Sequence, residues 1–231
     1  MSKNIIIVGP AYPLRGGLAT YNLLLANKLQ EQGHSVRIAT FSLQYPNIIF
    51  PGKTQYSTEP KPDSIEIEVS LNSVNPLNWL SLGKKLREEK PDLVIFRYWM
   101  PFMGPSLGTL GRIIRKNKHT KVVAIADNII PHEKRFFDTP FTKYFVNSCD
   151  GFVTMSKSVL EDLKKFDVNK PAGYNPHPMY ESFGPQLDKV EARKKLGLAE
   201  NGKYLLFFGF IRKYKGLDIL LRAFADKRIQ E

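Results

Sequence analysis

The 231-residue sequence holds a single cysteine, Cys149, and only four histidines. One thiol excludes an intramolecular disulfide framework, and no Cys/His grouping has zinc-ligand spacing, so a reducing, cytosolic setting without a metal is expected. No stretch approaches the ~18 consecutive apolar residues of a membrane span. The opening MSKNIIIVGPAYP has an apolar run too short for a signal-peptide core and enters a turn at once. There is no internal repeat at solenoid or propeller periods and no low-complexity tract. The G-x-G-x-x-G and G-x-x-x-x-G-K-[ST] loops are missing, so neither nicotinamide nor ATP is implied. Without a G-x-S-x-G elbow, and with no Ser or Cys nucleophile marked for His132, a hydrolase triad is not supported.

What is present suffices for a packed interior: 42% of residues are hydrophobic and 12% aromatic. Thirty-four Lys and Arg against 22 Asp and Glu leave a net charge of +12. That excess favours polyanions in general, whether nucleic acid, an anionic membrane or phosphorylated small molecules. The cations are scattered through GKKLREEK, GRIIRKNKHTK, EKRFF and ARKKLG, so each run reads first as a solvated face. No nucleic-acid motif accompanies them, and nucleic acid is not expected as a partner.

Short apolar runs alternate with segments of helical period. NIIIVG is apolar throughout, as a strand covered on both faces would be. After the loop PAYPLRGG, Leu18, Tyr21, Leu25 and Leu29 fall on one helical face, and Gly33 sits as a C-terminal cap before the strand SVRIAT. A long Pro-, Ser- and Thr-rich loop over residues 41–63 precedes the alternating strand IEIEV. Further strands are expected at DLVIFR, KVVAIA and GFVTMS. Helices between them carry Trp79, Leu82 and Leu86, then Leu107, Leu110 and Ile114, then the segment DTPFTKYFVNS. Ser158 with Glu161 reads as a capping box opening the next helix. The breaker-rich PAGYNPHPMYESFGP reads as linker, followed by a short helix near KVEARKKLG, a strand YLLFFG and a helix with a Leu217, Leu220, Leu221, Phe224 stripe.

The expected fold is thus α/β: a Rossmann-like parallel sheet with helices on both faces over residues 1–180. A linker over 181–200 and an incomplete second Rossmann-like domain over 201–231 follow.

Four constellations carry potential chemistry. Gly16 and Gly17 precede a helix, where free N–H groups and the helix dipole favour phosphate or carboxylate; a plain structural turn is the equal alternative. IADNIIPHEKRFFD places Asp127, Asn128, His132 and Glu133 beyond the carboxyl end of a strand, where open parallel sheets collect ligands. There His132 could exchange a proton and Asp127 could orient a sugar hydroxyl, the alternative being a loop-bracing histidine. In GFIRKYKG, Arg212 and Lys215 offer two cations beside a helix start, a means of holding a diphosphate without a metal, or else two ordinary exposed charges. RYWMPFMGPSLG joins Arg97 to aromatic residues that could stack on a sugar or be buried between helix and sheet.

In this order, GPAYPLRGG, FRYWMPFMGP, DNIIPHEKRFFD, PHPMYESFG and LLFFGFIRKYKGLDILLRAF resemble glycosyltransferase family 4 enzymes of the GT-B fold, along the whole chain. The resemblance implies two Rossmann-like domains, with the acceptor mostly on the first and the nucleotide-sugar donor mostly on the second, and retaining, metal-independent transfer with no cofactor beyond the donor. It implies that Gly16, Gly17, Arg212 and Lys215 bind the donor diphosphate, that Asp127 and His132 are catalytic, and that Arg97, Asn128 and Glu133 meet the acceptor. Two departures stand out: Asp127 replaces the usual His, and no two Glu are eight positions apart, as the family's acidic motif requires. The chain is therefore expected to be the acceptor-side domain and the start of a donor-side domain, inactive by itself. The expected partners are a nucleotide-diphosphate sugar, a glycan or lipid-linked acceptor, and an anionic membrane touched peripherally from the cytoplasm, in polysaccharide or lipopolysaccharide assembly. A non-catalytic module that binds an acceptor or an anionic surface is the alternative.

Overall fold

Seven parallel strands in the order β3-β2-β1-β4-β5-β6-β7 form the sheet of the computed structural model. They are β1 (Asn4–Val8), β2 (Ser35–Leu43), β3 (Glu66–Asn72), β4 (Leu93–Tyr98), β5 (Lys121–Ala126), β6 (Gly151–Thr154) and β7 (Ala172–Tyr174). The structure describes residues 1–46, 54–131, 133, 135–166, 169–180, 184–209 and 211–226. The order reverses at β1, between β2 and β4, which opens a crevice at the carboxyl ends of the strands.

The central strands are where the apolar runs predict them. Ile6, Ile7 and Val8 of β1 are fully buried because β2 and β4 pair on either edge and helices cover both faces. Helix α1 (Gly17–Glu31) ends as its sequence suggests: Gly33 takes φ +85, and the His34 amide donates to the Leu29 carbonyl at 3.1 Å. Its buried face differs from the one its large residues suggest. Ala19, Asn22 and Ala26 are buried and the leucines flank them, because small residues let the helix lie close to the sheet.

On the other face, α2 (Pro76–Glu89), α3 (Gly104–Ile114) and α4 (Asp138–Val146) pack side by side. Asn75 caps α2 by accepting from the amides of Leu77 and Asn78. Glycines set the spacing of α3 and α4: a Cβ on Gly104 would lie 2.4 Å from the Phe141 carbonyl oxygen, and one on Gly111 would lie 2.8 Å from Ser148 Oγ. Leu107, Leu110 and Ile114 then reach the core, as their spacing predicts.

Three local expectations are corrected. Helix α5 (Lys157–Lys164) starts after Ser156, not at Ser158, and the two hydroxyls bond each other at 2.7 Å, so no capping box forms. Residues 172–174, expected in a linker, extend the sheet as β7 because β6 offers an open edge. The strand expected over YLLFFG is not formed. Among the described residues around it, α6 (Lys189–Lys195) and α7 (Leu217–Phe224) are helical and no strand offers it a ladder partner.

The chain divides into two compact units, Met1–His177 and Pro178–Glu231. Among the described residues, no helix is long and apolar enough to cross a membrane.

Candidate functional site

The loop after β1 is pinned from three sides. Asn22 Nδ2 donates to the Pro10 carbonyl at 2.8 Å; the Ala11 amide donates to Thr40 Oγ1 at 2.9 Å, and that hydroxyl donates back to the Ala11 carbonyl at 3.2 Å. On the outer flank, the Arg15 amide donates to Gln55 and the Ser57 amide to Pro13, at 2.9 and 2.8 Å. Gly9 must be glycine, since a Cβ there would lie 2.7 Å from Arg97 Cβ and 2.8 Å from Asn22 Nδ2. Gly16 adopts φ +110, which favours glycine, and added Cβ atoms at Gly16 and Gly17 would meet open space. Among the described residues nothing crowds Gly16 or Gly17, and the amides and dipole at the start of α1 can receive an anion. Beside it lies a groove of about 380 Å³ lined by Leu14, Arg15, Thr20, Leu23, Ser57 and Pro60, among others.

The ends of β4 and β5 build the other side. Arg97, 1% exposed, lies at the end of β4 and meets Asp127, the first residue after β5. Arg97 Nε donates to Asp127 Oδ2 at 2.6 Å and Nη2 donates to Oδ1, a bidentate fork that fixes the carboxylate plane. The Asp127 amide continues the ladder by donating to the Tyr98 carbonyl at 2.8 Å. The Arg97 guanidinium lies over the ring of Tyr21 in α1, 4.0 Å from its centroid. His177 approaches the same ring, with centroids 5.6 Å apart. Burial lifts the Asp127 carboxyl above its usual range, while the Arg97 guanidinium beside it and, more weakly, His177 pull it down. Next to Arg97 in β4, the buried Tyr98 stacks on Phe145 with ring centroids 4.0 Å apart and its hydroxyl bonds Thr142.

Arg97, expected to meet an acceptor, is 1% exposed and turns its guanidinium to Asp127, where the two form a largely buried ion pair. Asn128 is half-buried and Glu133 is exposed on the following loop, whereas His132 lies outside the described residues. The loop turns where the Arg135 amide donates to the buried Asp138 carboxylate at 2.6 Å. In the second unit, the exposed Arg212 precedes a single 3₁₀ turn, Lys213–Lys215, which the exposed Lys215 ends; Gly216 follows at φ +67, and α7 begins. Among the described residues, no three His, Cys, Asp or Glu side chains cluster to hold a metal ion.

Two members of the Asp127 cluster escaped the sequence reading. Tyr21 was assigned to the packing face of α1, and His177 to a linker. The available signals were the placement of Tyr21 one turn beyond Gly17 and the breaker-rich PHP around His177.

A D-inositol 3-phosphate glycosyltransferase of Stackebrandtia nassauensis is 38% identical over 101 residues, an overlap of 38% of this chain and 22% of that protein. Among solved structures, an alpha-glucosyltransferase bound to UDP aligns with a TM-score of 0.47 at 16% identity, over 83% of this chain and 46% of that one. A UDP-N-acetylglucosamine 2-epimerase from Rickettsia bellii aligns with the same TM-score, 0.47, at 12% identity, over 75% and 44% of the two chains. The chain thus spans less than half the length of each of these relatives. The family model of Glycosyltransferase Family 4 matches residues 15–173, from the glycine loop into β7, and the chain belongs to that family.

Proposed function

We propose that this chain is part of a retaining glycosyltransferase that passes a hexose from a nucleotide-diphosphate sugar to a hydroxyl of a glycan or lipid-linked acceptor. The carrying observation is the family match over residues 15–173, which spans the start of α1 and the Asp127 rim. The acceptor meets the first unit at Asn128 and Glu133, and Asp127 and His132 serve as the catalytic groups. The donor diphosphate draws on the α1 amides at Gly16 and Gly17 and on the cations Arg212 and Lys215. Catalysis then rests on positioning and on stabilising the departing diphosphate, without a metal. The net charge of +12 suits a protein working against the anionic cytoplasmic face of a membrane, in the assembly of surface polysaccharide or lipopolysaccharide.

The test is release of nucleotide diphosphate from a panel of UDP- and GDP-hexoses, with and without glycan or lipid-linked acceptors, in the protein carrying this chain. Acceptor-dependent release with a retained anomeric configuration by NMR is expected, falling about a hundredfold or more in the Arg212→Ala, Lys215→Ala double variant. Acceptor binding with no release for any donor would instead identify a non-catalytic binding module.

A further inference from the structure

We propose that Asn22, seconded by Thr40, is the positioning residue of the loop between β1 and α1: the two side chains hold the Gly16 and Gly17 amides in the arrangement that receives the donor diphosphate. This deepens the transferase reading and rests on it for the claim that a diphosphate meets those amides.

Three observations converge. The first is connectivity. Asn22 lies in the second turn of α1, and its Nδ2 donates to the Pro10 carbonyl, 12 positions back, at 2.8 Å. That bond closes the chain from the end of β1 into α1 as a ring, with Gly16 and Gly17 inside it. Thr40, in β2, holds the next loop residue, accepting from the Ala11 amide at 2.9 Å and donating to the Ala11 carbonyl at 3.2 Å. Two consecutive loop residues are thus tied to two different elements, which fixes where α1 starts relative to the strand ends. The second is packing. Asn22 and Thr40 are 1% and 0% exposed, so water does not compete for their bonds. A Cβ on Gly9 would lie 2.8 Å from Asn22 Nδ2 and 2.7 Å from Arg97 Cβ, so the amide is wedged against the loop backbone with little room to swing.

The third is what the amide costs. Asn22 Oδ1 is buried with no hydrogen-bond partner among the described residues, and an unpaired buried acceptor destabilises the fold. The other buried residues of α1, Ala19 and Ala26, are apolar. A side chain serving packing alone would be apolar as well, so a costly amide at this position points to the orientation of the loop as its use. Amides that are already aimed bind a diphosphate without first ordering the loop, whereas a slack loop loses that ordering cost from its affinity.

The test uses the protein carrying this chain, with the UDP- or GDP-hexose it turns over and the acceptor varied separately. Asn22→Leu loses the bond to Pro10 and removes the unpaired oxygen in the same step, so the fold should hold. Thr40→Val keeps the shape of the side chain and loses both bonds to Ala11. Each should raise the donor KM about tenfold, the scale of one lost hydrogen bond, with the acceptor KM unchanged. Thr40→Ser, which keeps the hydroxyl, should recover most of the loss. A purely structural role would lower the active fraction, and with it kcat, at unchanged KM for both substrates. That outcome, or an equal rise in both KM values, overturns the inference and leaves the transferase reading intact. In parallel, inorganic pyrophosphate is titrated into the 231-residue chain while the Gly16 and Gly17 amide resonances are followed by NMR. Both should shift, and Asn22→Leu should need about tenfold more pyrophosphate to reach the same shift. That result with no transfer from any donor supports the positioning role and sinks the transferase reading alone; equal titrations of parent and variant, or no shift in the parent, overturn the inference.

Discussion

Two five-residue stretches of similar apolar character meet opposite fates. Residues 4–8, NIIIV, sit between β2 and β4 with Ile6, Ile7 and Val8 at 0% exposure. Residues 204–208, YLLFF, have no ladder partner among the described residues, and Leu206 and Phe208 are 85% and 88% exposed. The contrast extends to their units: the first holds a continuous core on both faces of its sheet, whereas no described residue of Pro178–Glu231 is buried. A hydrophobic run is a strand only when its neighbours supply hydrogen bonds and a covering face; the run itself supplies half of the requirement.

The largest expected effect tests that contrast directly. Phe96 in β4 is fully buried, so Phe96→Ala should cost about 3–5 kcal/mol in urea unfolding. Phe208→Ala, at a side chain already in water, should stay within about 0.5 kcal/mol. Comparable losses at both positions would mean that residues 204–208 are buried in solution. Next comes the pair beneath the site. Arg97→Met removes the counter-ion of a largely buried carboxylate and should cost about 3 kcal/mol by the same measurement. The first unit is also unforgiving at its helix seam. Gly104→Ala drives a Cβ toward a backbone oxygen that cannot swing aside, at a cost of about 1–3 kcal/mol, while Gly173→Ala, which meets open space, should be nearly silent.

Much of the first unit was legible because its central strands advertise burial on both faces and its helices carry the expected stripes, as at Leu107, Leu110 and Ile114. The α1 face was misread because the eye goes to leucines, while close packing against a sheet selects Ala19 and Ala26. β7 was missed because three exposed residues at a sheet edge carry no apolar signal. The site was legible as positions at strand ends, since Asp127 follows β5 as an open parallel sheet requires. The orientation of its residues was not: Arg97 and Asp127 are 30 positions apart, and nothing local announces that one is sealed beneath the other.

The smallest effect is the most diagnostic for that pair, because its sign decides which force governs Asp127. Burial raises the carboxyl above its unfolded value of 3.8, against the pull of Arg97 and His177. The folded protein then takes up the Asp127 proton more readily than the unfolded chain. The stability that proton brings is fully present below 3.8 and is lost as pH rises through the raised folded value. Asp127→Asn does not titrate there, so the stability of the parent chain relative to that variant should climb as pH falls through the raised value and level off below 3.8. Were the fork from Arg97 the stronger influence, the folded value would lie below the unfolded one and the parent would lose ground on acidification. Urea midpoints of the two proteins between neutral pH and the acid limit separate the cases. A falling difference would mean that the ion pair outweighs desolvation at this depth, and that the Asp127 rim is wetter than its burial implies.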